Sequence, residues 1–198
     1  MTVSASLVLA TRNPHKLREF KRLLAPAAVE LVALPEGVEL PPEVGETFAD
    51  NAVAKARAAA SATGRIAIAD DSGIEAQALG GRPGVRSARY AGEHASDEEN
   101  LALLMRQAPT GSGLRYVCAL AYVDPDAGNE QVFFGTCEGR RAFEARGSGG
   151  FGYDPAFLPD DDNFGHRTMA ELTDVEKDRI SHRGAAARKL LAWWEVRR

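Results

Sequence analysis

The chain has 198 residues, 44% hydrophobic and 26% charged, an ordinary globular composition with enough length to bury a real core. A formal net charge of −4 leaves no global basic surface, which argues against a nucleic-acid polymer as partner. No apolar run approaches the roughly 20 residues that a bilayer span needs, and no charged leader precedes an apolar stretch at the N-terminus, so neither a membrane protein nor a secreted one is expected. Cys118 and Cys137 match no zinc or redox spacing and are expected as buried small side chains in a reducing cytoplasm.

Residues 4–10 read as a first strand. Asn13 is a good N-cap, Pro14 suits the first helical position, and Leu17, Phe20, Leu23 and Leu24 then share one face of a helix that stops near Pro26. That helix start carries Asn13, His15 and Lys16. Free backbone N–H groups beside a lysine make a candidate phosphate site, with a solvated helix face as the competing reading. The missing glycines exclude a Walker loop. Residues 29–34 read as a second strand. Residues 35–46 form a loop with three prolines and the acids Glu36, Glu39, Glu43 and Glu46. Thr47 and Asp50 resemble a capping box for an alanine-rich helix that reaches about Thr63 and stops at Gly64. Its apolar stripe runs through Phe48, Ala52, Val53, Ala56, Ala59 and Ala60. Asn51 and Lys55 stand one turn apart on another face, where Lys55 is either solvated or turned to a cleft.

Residues 66–69 are apolar and lead into Asp70, Asp71, Ser72 and Gly73. They read as a buried central strand ending in two carboxylates, the position where open α/β sheets bind ligands. Successive strand side chains face opposite ways, so the two aspartates are expected to do different jobs. Asp-Asp-Ser-Gly is also good turn chemistry, and a plain turn competes with the functional reading. Residues 79–92 are a glycine-rich structured loop with Arg82, Arg86 and Arg89, suited to phosphate or to pairing the carboxylates.

Ser96 and Glu99 cap a helix whose face carries Leu101, Leu104 and Met105. Residues 116–123 and 131–137 read as a hairpin, within a smaller second lobe at roughly 114–145 of a single domain spanning 1–198. Gly147, Gly149 and Gly152 match GxGxxG, but the run enters Tyr153-Asp154-Pro155 instead of a helix, so a dinucleotide site is rejected. These glycines admit close backbone approach, and Phe151 and Tyr153 are placed to stack on a base; a tight connection with buried aromatics is the alternative. Thr168 with Glu171 and Thr173 with Glu176 give capping-box patterns, and Ser181 suits the cap of a last helix anchored by Leu190, Leu191, Trp193 and Trp194. Lys177, His182 and Arg183 then cluster near helix starts.

Taken together, residues 10–16, 48–56, 69–73, 80–90, 149–155 and 181–184 resemble, in order, the motifs of the inosine triphosphate pyrophosphatase family, which includes the bacterial dITP/XTP pyrophosphatases. The resemblance runs from Leu7 to about Leu191. Arg12, Pro14 and His15 depart from its pattern, in which a glycine usually precedes the lysine.

The resemblance implies a two-lobed α/β fold with a mixed sheet, flanking helices and a central nucleotide-binding groove, usually as a homodimer. It implies Mg²⁺-dependent hydrolysis of ITP, dITP and XTP to the monophosphate and pyrophosphate, which cleanses the nucleotide pool. By position, Asp71 is the implied general base and a Mg²⁺ ligand, with Glu43 as second acidic ligand. Thr11, Arg12, Asn13, Pro14, His15, Lys16 and Ser72 are the implied triphosphate contacts, and Lys55 is a further candidate substrate contact. Phe151, Gly152, Tyr153, Asp154, Lys177, His182 and Arg183 are the implied base and sugar contacts. A pyrophosphatase for modified pyrimidine nucleotides and a non-catalytic nucleotide sensor are the alternatives.

Overall fold

The computed structural model describes residues 6–27 and 29–197; the expected strand residues 4–5 lie outside them. Six strands and five α-helices follow the chain as β1 (Ser6–Leu9), α1 (Pro14–Leu24), β2 (Glu30–Ala33), α2 (Phe48–Thr63), β3 (Ala67–Ala76), α3 (Asp97–Gln107), β4 (Gly113–Asp124), β5 (Asn129–Arg141), β6 (Phe157–Pro159), α4 (Asp174–Ile180) and α5 (His182–Glu195). The sheet order is β2-β1-β3-β4-β5-β6. β1 runs parallel to β2 and β3, and β6 runs antiparallel to β5, giving the mixed α/β fold.

Local sequence explains most element ends. The Asn13 side chain accepts the amides of His15 and Lys16 and caps α1. Thr47, Ser96 and Thr173 close reciprocal capping boxes at α2, α3 and α4, and Gly64 ends α2 in the left-handed conformation.

One element departs from the sequence reading. β3 does not stop at the aspartates; it continues through Asp70-Asp71-Ser72-Gly73 to Ala76, buried along most of its length. Turn propensity loses because the segment finds tertiary partners. The Ile74 amide donates to Ser87 Oγ at 2.8 Å, and Ser87 in turn donates to the Gly84 carbonyl at 2.7 Å. Glycine at 73 is required by this docking: a Cβ there would lie 2.4 Å from Ser87 Oγ.

The chain divides into two compact units, Met1–Asp71 with Cys118–Gly135 and Arg183–Arg198, and Ser72–Val117 with Thr136–His182. Leu7, Leu9, Phe20, Leu24, Ile68, Leu120 and Leu190 form the core of the first, with Trp193 and Trp194 packed against it. Ile74, Leu104, Tyr116, Phe157, Met169 and Leu172 form the core of the second. Both cysteines are free and buried, and burial pushes the Cys137 thiol up to about 12, consistent with inert packing. No helix among the described residues is long and apolar enough to cross a membrane.

Candidate active site

The first unit concentrates charge around β3. Asp70 and Asp71 point to different partners, as strand alternation requires. Asp70 is buried against Lys16, whose Nζ lies 2.9 Å from Oδ2, and against Arg183, whose Nε lies 3.3 Å away. Arg183 also contacts Glu19 at 3.2 Å. Burial opposes ionisation of Asp70, but the charges of Lys16, Arg183 and Lys55 outweigh it and hold the carboxyl well below the usual range.

Asp71 sits in a different environment. Its Oδ2 accepts from Asn51 Nδ2 at 2.9 Å, and its Oδ1 lies 3.9 Å from Lys55 Nζ. Lys55 also hydrogen-bonds Glu43 and donates to the Asp70 carbonyl oxygen at 2.8 Å. Desolvation raises the Asp71 pKa; Lys55 works against it, Glu43 adds to it, and the net shift is upward. Burial alone would lower the Lys55 pKa, yet Asp70, Glu43 and Asp71 together raise it. Asp70 is therefore a firmly ionised anchor, whereas Asp71 is a carboxylate with heightened proton affinity, the property of a general base.

Glu43 and Asp71 converge on one ammonium, so two hard oxygen donors face a single small cationic centre. Mg²⁺ asks for one or two carboxylates, with water and phosphate completing its shell. Among the described residues no group of three or more His, Cys, Asp or Glu is gathered as a metal cluster. Glu43 and Asp71 are donors of the chemical type that Mg²⁺ takes.

At the start of α1 the sequence reading is revised. The amides expected to await phosphate are occupied: Asn13 Oδ1 accepts from His15 N at 2.8 Å and Lys16 N at 3.3 Å, and Thr11 Oγ1 accepts from Asn13 N at 3.1 Å. Pro14 has no amide hydrogen to offer. His15 Nδ1 lies 2.8 Å from an Arg18 nitrogen. The Arg12 guanidinium turns to the carbonyls of Leu34, Pro35 and Val38. What α1 delivers to the acidic strand is Lys16.

The second unit begins at Ser72, half-buried on β3, and holds a separate network. Asp154 is buried and accepts from Tyr116 Oη at 3.0 Å, Lys177 Nζ at 2.7 Å and the Phe151 amide at 3.0 Å. Lys177 Nζ also lies 5.3 Å from the Phe151 ring centroid, within cation–π range. His182 stacks on Tyr116 with centroids 4.6 Å apart and planes 9° from parallel. Gly150 has φ +70, and a Cβ there would come 2.0 Å from Asp154 Oδ2, so this turn admits only glycine. The Gly152 amide donates to Asp97 Oδ2 at 3.0 Å. Tyr153 is a core residue whose hydroxyl donates to the Ser87 carbonyl at 2.7 Å; Phe151 is the more accessible ring.

The structure thus brings Lys16, Glu43, Lys55, Asp71 and Arg183 together in the first unit, and Phe151, Asp154, Lys177 and His182 in the second. Reading the sequence missed the roles of Asn51, Asp97 and Tyr116. Asn51 had a visible signal, as an amide one turn from Lys55 on an alanine-rich helix. Tyr116 lies in an apolar strand run and looks like any core aromatic.

Fold and clusters define a mixed α/β protein whose third strand carries a buried, cation-clamped acidic pair. The Ham1 family model matches residues 7–193, and the chain belongs to that family. It is 50% identical over 193 residues to a dITP/XTP pyrophosphatase of Cutibacterium acnes, covering 93% of this chain and 94% of that protein. It is 47% identical over 196 residues to one of Geobacillus kaustophilus, with 96% and 94% covered. Among solved structures, a HAM1 protein from Coxiella burnetii is similar with a TM-score of 0.83 at 38% identity, covering 96% of this chain and 98% of that one.

Proposed function

We propose that this chain hydrolyses non-standard purine nucleoside triphosphates, namely ITP, dITP and XTP, to the monophosphate and pyrophosphate in a Mg²⁺-dependent reaction. The observation that carries the reading is Asp71: a buried carboxylate of raised proton affinity, oriented by Asn51 and flanked by Lys55 and Glu43. The activity by which the relatives are named points the same way.

In this reading Asp71 takes a proton from a water that attacks the α-phosphorus. The α–β anhydride bond breaks and pyrophosphate leaves. Lys16 and Lys55 offset the triphosphate charge, because phosphoryl chemistry asks chiefly for positioning and charge stabilisation. Asp71 and Glu43 would hold Mg²⁺, which when bound would neutralise phosphate oxygens and lower the pKa of coordinated water. Phe151, Lys177 and His182 receive the purine, with Asp154 holding Lys177 in place. The proposal includes a cytoplasmic homodimer; a solution mass of one 21.2 kDa chain removes the dimer.

The test is a nucleotide panel with and without Mg²⁺, read as pyrophosphate against orthophosphate. Pyrophosphate from ITP and XTP, dependent on Mg²⁺ and at least about 10²-fold slower in Asp71→Asn, is the expected result. Orthophosphate as product, near-normal turnover by that variant, or ligand binding without turnover overturns it.

A further inference from the structure

The segment between β2 and α2 carries Glu43 and has no regular secondary structure of its own beyond turns. Its position must come from outside: Lys55 holds Glu43 itself, and two further side chains hold the segment on either side of it. At the far end, the Gly45 amide donates to Asn51 Oδ1 at 2.8 Å, so close that a Cβ on Gly45 would sit 2.7 Å from that oxygen. At the near end stands Arg12. One guanidinium nitrogen donates to the Leu34 carbonyl at 3.0 Å, and the other donates to those of Pro35 at 2.9 Å and Val38 at 2.8 Å.

We infer that Arg12 is a positioning residue that holds the 34–46 segment so that Glu43 faces Asp71, and is not a ligand of the triphosphate. A guanidinium is a planar fork of five donors, and three carbonyls across a bend suit it; a lysine offers the same charge from one flexible point and cannot span all three. Glu43 lies five residues beyond Val38, with Pro41 and Pro42 stiffening the interval. Clamping the near end thus fixes where the acid emerges. The inference rests on the reading of Glu43 as the second acidic ligand. The clamp itself does not.

Arg12 is exposed, so Arg12→Ala and Arg12→Lys leave both cores intact. Three readouts separate a clamp from a phosphate ligand. They are amide hydrogen exchange across residues 35–46 in the nucleotide-free protein, the Mg²⁺ concentration for half-maximal ITP hydrolysis, and equilibrium binding of α,β-methylene ITP in EDTA. Loss of the three charge-assisted bonds predicts that both variants exchange this segment about tenfold faster or more. Both then need about fivefold more Mg²⁺ and bind the analogue in EDTA within about twofold of the parent protein. Unchanged exchange in Arg12→Ala overturns the inference. So does a lysine variant that matches the parent while the alanine variant loses analogue affinity in EDTA. If the parent protein releases no pyrophosphate from ITP, the activity reading fails while the exchange arm still decides the clamp.

Discussion

Neighbouring aspartates on β3 carry opposite signs in the stability of the protein. Asp70 is held below its ordinary pKa by Lys16, Arg183 and Lys55 against the opposing effect of burial. Its stabilisation is present above the unfolded value near ~3.9 and is lost as pH falls toward the lower folded value. Asp70→Asn leaves the two clamping cations short of their partner and should cost about 3–5 kcal/mol by urea unfolding, as other broken buried pairs do. Asp71 is raised above its ordinary value, mainly by desolvation. The native state therefore binds this proton more tightly than the unfolded chain does; its favourable contribution lies at low pH and disappears as pH rises through the folded value. At neutral pH the ionised group costs stability. Asp71→Asn should leave the metal-free protein at least as stable, with a Tm higher by about 2–4 °C for each kcal/mol recovered, while turnover is lost. Calorimetry in EDTA showing Asp71→Asn to be the less stable of the two variants contradicts this division of labour.

At the scale of the element, β3 shows what sequence reading reaches and where it stops. The helices were legible because their signals are local: Asn13, Thr47, Ser96 and Thr173 stand within three residues of the amides they cap. The acidic centre was legible as residue types, since Asp70, Asp71 and Lys16 lie in recognisable runs. The extension of β3 through Ser72 and Gly73 was not, because it depends on Ser87, fourteen residues beyond Gly73, accepting the Ile74 amide. Burial of Lys55 was equally hidden, since α2 alone does not say which polar residue meets Glu43 and Asp71. The direction of Arg12 depends on where residues 34–38 fold. The β3 account is tested by Gly73→Ala. The new methyl would lie 2.4 Å from Ser87 Oγ and 2.5 Å from the Gly84 carbonyl, and both belong to the docking loop. Overpacking of this kind typically costs about 1–3 kcal/mol. A shifted urea midpoint with unchanged slope is expected, and no shift would show that the loop yields freely.

For the molecule as a whole, charge balance sets the terms of ligand binding. Among the described residues of the first unit, Lys16, Lys55 and Arg183 each pair with carboxylates, drawn from Glu19, Glu43, Asp70 and Asp71. These cations are thus engaged before any ligand arrives, on a chain of net charge −4. A nucleoside triphosphate adds about four more negative charges, and the three cations are already engaged by protein carboxylates. Tight binding therefore calls for an added cation. With Mg²⁺ and α,β-methylene ITP at about 100 times its Kd, mass action stabilises the native state by about 2.7 kcal/mol. In a chain of this length that corresponds to a Tm increase of about 5–10 °C. In EDTA at the same analogue concentration the increase should shrink to less than half. Raising ionic strength should weaken binding only modestly, because buried pairs are poorly screened. An equal shift with and without Mg²⁺ would mean that the protein's own cations suffice, and the engagement of Lys16, Lys55 and Arg183 by carboxylates around β3 would then have no bearing on how the substrate is held.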